Sequence, residues 1–379
     1  MRHVAYPMAE VAPLVRRPVR VEPERLYQEI GVRSFGKGIF HKPPSTSLEI
    51  GDKKVFAIEP GDLLFNIVFA WEGAVAVATE GERGAIGSHR FLSCVPDPRL
   101  ACARYLYWYF VHDRGLSQLQ RASPGGAGRN RTLGIDKLAA IAVELPPISE
   151  QQRIVAELDG TAERIATLKA RSQTAYSEVK VAVRSAFAKV VADAPRATMA
   201  DVAPLVRRSV EIDSEKTYTE IGVRSFYKGI FHRRTVTGAE FTWQKLFRIA
   251  NRDLVFSNLM AWEQAIALAS PTDEGCIGNH RMLTCKVDDS RCLPTFLWYY
   301  FTTQEGLAQI MAASPGSIAR NKTLSASLLA EITVPVPTLD AQQWFEALHT
   351  KTVSIDNIRT SVEQEVDHLM PALLHSAFS

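Results

Sequence analysis

The segment Tyr27 to His41 (YQEIGVRSFGKGIFH) returns as Tyr218 to His232 (YTEIGVRSFYKGIFH), identical at 13 of 15 positions after a shift of 191 residues. The same shift carries Trp71-Glu72 onto Trp262-Glu263, His89-Arg90 onto His280-Arg281, Ser123-Pro124-Gly125 onto Ser314-Pro315-Gly316, Gln151-Gln152 onto Gln342-Gln343 and Phe187 onto Phe378. One offset thus holds across nearly the whole chain. Solenoid repeats run about 20–50 residues, so a unit of 191 is a domain plus something more, present twice.

Each unit changes texture part-way. Up to about residue 148, short apolar runs such as Leu63-Leu64-Phe65 and Val75-Ala76-Val77 alternate with turn signals such as Pro60-Gly61-Asp62, which predicts strands. A stretch opening at Pro98, with Leu100, Tyr105, Leu106, Trp108 and Tyr109 at helical spacing, predicts a helix among them. After Pro146-Pro147 the chain has no proline and one glycine from 149 to 192, and Ser149-x-x-Gln152 has the form of a capping box. Ile154, Leu158, Ile165, Leu168, Ala175, Val179 and Val183 then keep a three-or-four spacing, which predicts a helix that buries one long stripe. The second unit repeats this with Phe345, Leu348, Ile355, Val362, Val366, Leu369 and Leu373, and Pro371 is expected to kink or fray its last turns.

The expected fold class is α+β. Two mixed α/β domains, 1–148 and 193–338, are each followed by a long helix, 149–192 and 339–379. The two helices are expected to bury their stripes against each other as an antiparallel coiled coil; the alternative is that each folds back on its own domain as ordinary core.

No apolar run approaches the roughly 20 residues of a membrane span, and the N-terminal residues lack a signal-peptide core, so a cytoplasmic location is expected. Cys94, Cys102, Cys276, Cys285 and Cys292 form no metal-type spacing and are read as reduced and packed, with no metal. The formal net charge is only +3, so any basic surface must be local.

Enzyme motifs are missing. There is no glycine-rich cofactor loop after a strand and no Asp/Asn-Pro-Pro-aromatic stretch. Leu145-Pro146-Pro147-Ile148 and Val334-Pro335-Val336-Pro337 are linkers by their position. A metal-dependent nuclease set can be forced onto Pro96-Asp97 and Glu178-Val179-Lys180, but the duplication replaces Pro96, Glu178 and Lys180 with Val287, Leu369 and Pro371. No phosphate-binding loop or nucleophile elbow occurs. No catalytic residue is assigned, and an enzyme acting alone is not expected.

What recurs instead is a set of basic residues at loop-like positions, where binding sites concentrate. The small-residue loops after Ser123 and Ser314 end in Arg129-Asn130-Arg131 and Arg320-Asn321-Lys322, suited to phosphate through the cations and to adenine through the amide. Arg33-Ser34-Phe35 with Lys37, and Arg224-Ser225-Phe226 with Lys228, place cations beside aromatics. Arg16-Arg17 and Arg207-Arg208 are either phosphate anchors or a solvated face. Arg90 and Arg281 are expected to touch DNA, the adjacent His89 and His280 to be satisfied core histidines, and Trp71 and Trp262 to pack.

A domain of about 150 residues, then P-P-I-S-E-Q-Q-R-I-V leading into a long helix, all of it twice, resembles the DNA-specificity subunit of Type I restriction-modification systems. Leu145-Pro146-Pro147-Ile148-Ser149-Glu150-Gln151-Gln152-Arg153-Ile154 is similar to that family's junction between domain and helical spacer, and Val336-Pro337-Thr338-Leu339-Asp340-Ala341-Gln342-Gln343 is its degraded second copy. The loop ending Arg129-Asn130-Arg131-Thr132-Leu133 and the run Trp71-Glu72-Gly73-Ala74 also fit the family's pattern.

The resemblance implies a non-catalytic reader of double-stranded DNA that joins two adenine-N6 methyltransferase subunits and, in a full complex, two translocating endonuclease subunits. It implies no cofactor in this chain; S-adenosylmethionine, and ATP with Mg, would belong to the partners. Each domain would read half of a bipartite target, with the helices fixing the spacing. Because the two domains are close copies, the half-sites are expected to be similar and the target nearly palindromic. Service to a solitary methyltransferase or another defence system, and a duplicated scaffold that binds protein, are the other readings.

Overall fold

The computed structural model describes residues 4–126, 131–241, 245–316 and 322–378. The chain folds as two compact units, Met1–Ser172 with Thr360–Ser379, and Gln173–Arg359.

In the first unit, Leu14–Val15, Phe91–Cys94, Leu63–Asn66 and Val75–Val77 form a four-stranded sheet in that order. The apolar runs read as strands are therefore strands, paired antiparallel with Leu63 opposite Val77. A hairpin, Ile30–Val32 with Ile39–His41, and the pair Val55–Ala57 with Ile86–Ser88 are linked by a parallel bridge from Glu29 to Ile86. Helix Ala103–Val111 packs on the four-stranded sheet, where Phe110 meets Phe65 edge-on at 5.2 Å between ring centroids. Val4–Pro7 pairs antiparallel with Ala142–Leu145, which ties the domain's beginning to its end just before the long helix.

The second unit repeats these pairings at the same offset: Leu63 opposite Cys94 becomes Leu254 opposite Cys285. One difference is local and has a plain cause. The hairpin there is longer, Thr217–Val223 with Ile230–Thr237, because Arg234-Thr235-Val236 can donate to the ladder. The first unit has Pro43-Pro44-Ser45 at this place, and proline cannot donate, so its strand stops at His41.

The long helices run Ile148–Val191 and Leu339–Phe378. The first does not start with a Ser149 cap: the backbone N–H groups of Glu150 and Gln151 donate to Pro147 O, so Ser149 already lies inside the first turn. The anchor is Gln151, which is fully buried. Its Oε1 accepts from Cys102 N at 3.0 Å, and its Nε2 donates to Leu100 O at 2.8 Å and Pro146 O at 2.9 Å. Gln342 does the same in the second unit, with Leu293 N, Arg291 O and Pro337 O. The expected helix at Pro98 also begins later, at Ala103, because Pro98-Arg99-Leu100 form a turn closed on Asp97.

Each unit contains segments of both long helices. In the first, Ile154 and Leu158 share a core with Leu374 and Phe378, and Phe378 packs against Tyr105, Tyr109 and His112. In the second, Phe187 sits among Phe296, Tyr299 and Phe345, each within 5.0 Å between centroids. The second helix runs on through Pro371 to Phe378, where its last turns are held by this burial.

The stripe expected along the second helix holds at Phe345, Leu348, Val366 and Leu373 and gives way between and beside them. Ile355, Val362 and Leu369 are about half exposed, as is Leu168 of the first helix. The partners that meet are polar: Lys169 with Asp367 in the first unit, and Tyr176 with Asp356 and Arg359 in the second. Burial and the Asp356 carboxylate push the Tyr176 phenol up to about 12.

Gln151→Leu should cost about 3 kcal/mol in urea unfolding, because it strands one N–H and two carbonyls away from water. Gln152→Leu, next door but exposed, should stay within about 0.5 kcal/mol. Equal effects of the two would remove the anchor role.

Candidate nucleic-acid interface

In the first unit the turn from Asn66 to Gly73 organises the loops around it. A single turn of 3-10 helix, Ala70–Glu72, ends with Gly73 in the left-handed region. Three other segments bond to this turn. The hairpin tip donates through Phe35 N to Glu72 O at 2.8 Å and Gly36 N to Gly73 O at 2.9 Å, and the Ser34 hydroxyl donates to the Glu72 carboxylate at 2.8 Å. Ile67 N donates to Arg90 O at 2.8 Å, which fixes the turn that carries His89 and Arg90. Leu133 N donates to Ile67 O at 2.9 Å, which fixes the segment starting at Arg131. Trp71 donates its indole N–H to Val68 O, and its ring face carries the Arg131 guanidinium at 5.1 Å.

The second unit builds the same junction. Phe226 N and Tyr227 N donate to Glu263 O and Gln264 O, Asn258 N to Arg281 O, and Leu324 N to Asn258 O, with Lys322 over Trp262 at 5.5 Å. Residues far apart in sequence thus share one surface in each unit: Arg33, Lys37, Arg90 and Arg131 in the first, and Arg224, Lys228, Arg281 and Lys322 in the second. Among the described residues, none of these eight has an ion-pair partner. A local concentration of unpaired cations therefore coexists with a near-neutral chain.

Arg33 is held by stacking. Its guanidinium lies 4.9 Å from the centre of the Phe40 ring, and that ring covers Gly31 so closely that a Cβ there would come within 2.2 Å of it. Arg224, Phe231 and Gly222 repeat the arrangement at 4.8 Å and 2.5 Å. The glycine of the EIGVRSF motif exists to let this ring lie flat.

Several residues have roles different from those read in the sequence. Arg17 makes two hydrogen bonds, at 2.7 and 3.1 Å, to the carboxylate of Asp62, which is 1% exposed; Arg208 does the same with Asp253. A guanidinium committed in this way to a buried carboxylate holds the fold together and is not a free phosphate anchor. Arg16 donates to Phe91 O at 3.0 Å and packs over Phe56, and Arg207 donates to Met282 O at 3.1 Å and packs over Phe247. Burial lowers both guanidinium pKa values from the ordinary position. Ser34 and Ser225 are bonded to Glu72 and Glu263. His89 and His280 are exposed at turns and not core residues, and Trp71 and Trp262 are half-buried platforms for cations. Arg129, Asn130, Arg320 and Asn321 lie outside the described residues.

Phe35 and Phe226, which the sequence sets beside these cations, are 69% and 63% exposed at the hairpin tips. The repetition of Glu72 as Glu263 after each tryptophan is explained by the tip serines, whose hydroxyls donate to these carboxylates.

Among the described residues no group of three His, Cys, Asp or Glu side chains could hold a metal ion, and no helix is long and apolar enough to cross a membrane. Burial pushes the Cys94 and Cys285 thiols up to about 12, so both are unreactive core groups.

No family model and no curated protein matches the sequence. Solved structures do match over the whole length. The HsdS subunit from Thermoanaerobacter tengcongensis superposes with a TM-score of 0.61 at 18% identity, covering 99% of this chain and 96% of its own. A chain from a structure of complex assembly and conformational transition in a type I R-M system gives 0.69 at 18% identity, covering 99% and 97%. The Type-I restriction-modification system S subunit from M. genitalium gives 0.52 at 13% identity, covering 98% and 96%. The chain has the fold of these S subunits.

Asp62→Asn, which leaves Arg17 facing a neutral buried amide, should lower unfolding stability by about 2–3 kcal/mol. Arg90→Ala should change it by less than about 0.5 kcal/mol. The reverse order would exchange the roles of Arg17 and Arg90.

Proposed function

We propose that this chain is a non-catalytic DNA-specificity subunit of a Type I restriction-modification complex. The observation that carries the reading is the pair of equivalent surfaces, each presenting four unpaired cations on loops locked by one turn, in a chain with the fold of S subunits. Cations on a rigid frame are what duplex recognition requires: phosphate contacts position the protein and groups aimed at base edges select the sequence.

In this reading the two units are duplicated target-recognition domains and the long helices pair as an antiparallel coiled coil. Support comes from the side-chain partners within the second unit, where Tyr176 meets Asp356 while the later Phe187 meets the earlier Phe345. The helices set the spacing of a bipartite target. Their exposed Leu168, Ile355, Ile358, Val362 and Leu369 offer apolar contact to protein partners, two methyltransferase subunits and, in a full complex, endonuclease subunits. S-adenosylmethionine, ATP and Mg are then bound by those partners. Arg33, Lys37, Arg90, Arg131, Arg224, Lys228, Arg281 and Lys322 contact DNA, joined by Arg129, Asn130, Arg320 and Asn321. Since the copies share their frame, the two half-sites are similar and, on opposite strands, give a nearly palindromic target.

The test is the salt dependence of duplex binding by the full chain assembled with its methyltransferase. Log K should fall linearly with log salt between about 50 and about 200 mM, and each of Arg90→Ala and Arg281→Ala should reduce the slope by about 0.9. A flat response to salt would favour the duplicated protein scaffold.

A further inference from the structure

The tip of each hairpin makes a turn that its sequence should avoid. Phe35 and Gly36 have φ of 60° and 62°, and Lys37 N closes on Ser34 O, the two-residue hairpin turn that normally takes Asn-Gly. The second copy lacks even the glycine: Phe226 and Tyr227 have φ of 61° and 55°. A bulky L-residue in the left-handed region is strained, and such strain persists only where the surroundings impose it. Here they do. The tip is fastened through Phe35 N, Gly36 N and Ser34 Oγ to the Glu72-Gly73 turn, and Tyr107 OH donates to Gly36 O at 2.7 Å. In the second unit Tyr227 OH donates to Phe301 O at 2.8 Å.

The ring held by this frame is left largely in water. Phe35 and Phe226 are 69% and 63% exposed, with the Lys37 and Lys228 ammonium groups 5.8 and 5.9 Å from their centroids. Burial of the phenylalanine rings within the unit therefore does not repay their conformation. The position following Phe differs between the copies, Gly36 against Tyr227, while the phenylalanine and its flanking Arg and Lys are the same in both. A flat apolar ring on a rigid tip, with a lysine ammonium near its face and an arginine two residues before it, suits a base step opened in a duplex, with the cations on the adjoining phosphates.

We propose that Phe35 and Phe226 are wedges that insert at a base step, one in each half-site. The inference rests on the DNA-reading function and adds to it a deformation of the target, which makes the ease of unstacking at that step part of specificity.

The experiment uses the full chain assembled with its methyltransferase and a duplex carrying the motif that the assembly methylates. Permanganate, which attacks unstacked thymines, is the structural probe, and the thymine opposite the methylated adenine is set aside because base extrusion by the methyltransferase exposes it. The wild-type assembly should raise reactivity at one further step in each half-site. Phe35→Gly should abolish it in one half and Phe226→Gly in the other, with affinity falling about tenfold for each. Thermal stability should be equal or higher, since glycine relieves the turn. Phe35→Leu, still an apolar wedge, should recover part of both signals. Unchanged reactivity and affinity in the glycine variants, or a loss of affinity without a change in reactivity, would overturn the wedge and leave the DNA reader standing. No duplex binding by the wild-type assembly would overturn both.

Discussion

Gln151 and Gln342, themselves fully buried, each take three backbone groups that no helix or strand satisfies and pair them with one side chain. An unpaired amide or carbonyl buried at such a junction costs on the order of 1–3 kcal/mol, so the glutamine fixes the angle at which each long helix leaves its domain. Helix length and phase mean something only if that exit is rigid. The aromatic clusters around Phe378 and Phe187, at the far ends of the same two helices, complete the restraint, so each helix is held at both ends by buried contacts.

The same economy shapes the interface. One turn, Asn66 to Gly73, accepts or donates the bonds that place the hairpin tip, the His89-Arg90 turn and the Arg131 segment. A surface assembled around one hub is stiff, and a stiff surface loses little entropy on binding. Carboxylates of the same unit are engaged elsewhere in the fold, Asp62 with Arg17 and Glu82 with His41. This separation explains how a chain of net charge +3 presents basic patches.

Much of the fold was legible. The 191-residue offset, the strand runs, the proline-free stretch 149–192 and its second copy lead to a mixed α+β chain with two long helices. The faces were less so. Periodicity placed Ile355, Val362 and Leu369 in the seam, but Asp356 and Arg359 occupy it, because apolar spacing alone does not say whether a stripe faces its own chain or a partner. Arg17 looked like a surface cation until Asp62, 45 residues on, was seen beside it. The same separation between Arg208 and Asp253 was the hint that two copies made available. The tip phenylalanines were legible as aromatics beside cations, but not as strained residues, because only backbone geometry shows that they sit where Asn-Gly belongs.

The central claim, that two copies of one reader select two similar half-sites, is tested most directly by sequencing methylated bases in cells that express the chain with its methyltransferase, against cells lacking the chain. The account predicts N6-methyladenine at a bipartite, nearly palindromic motif that vanishes without the chain. A chain-dependent motif with unrelated halves would contradict the symmetry, and the absence of any chain-dependent motif would contradict the function itself.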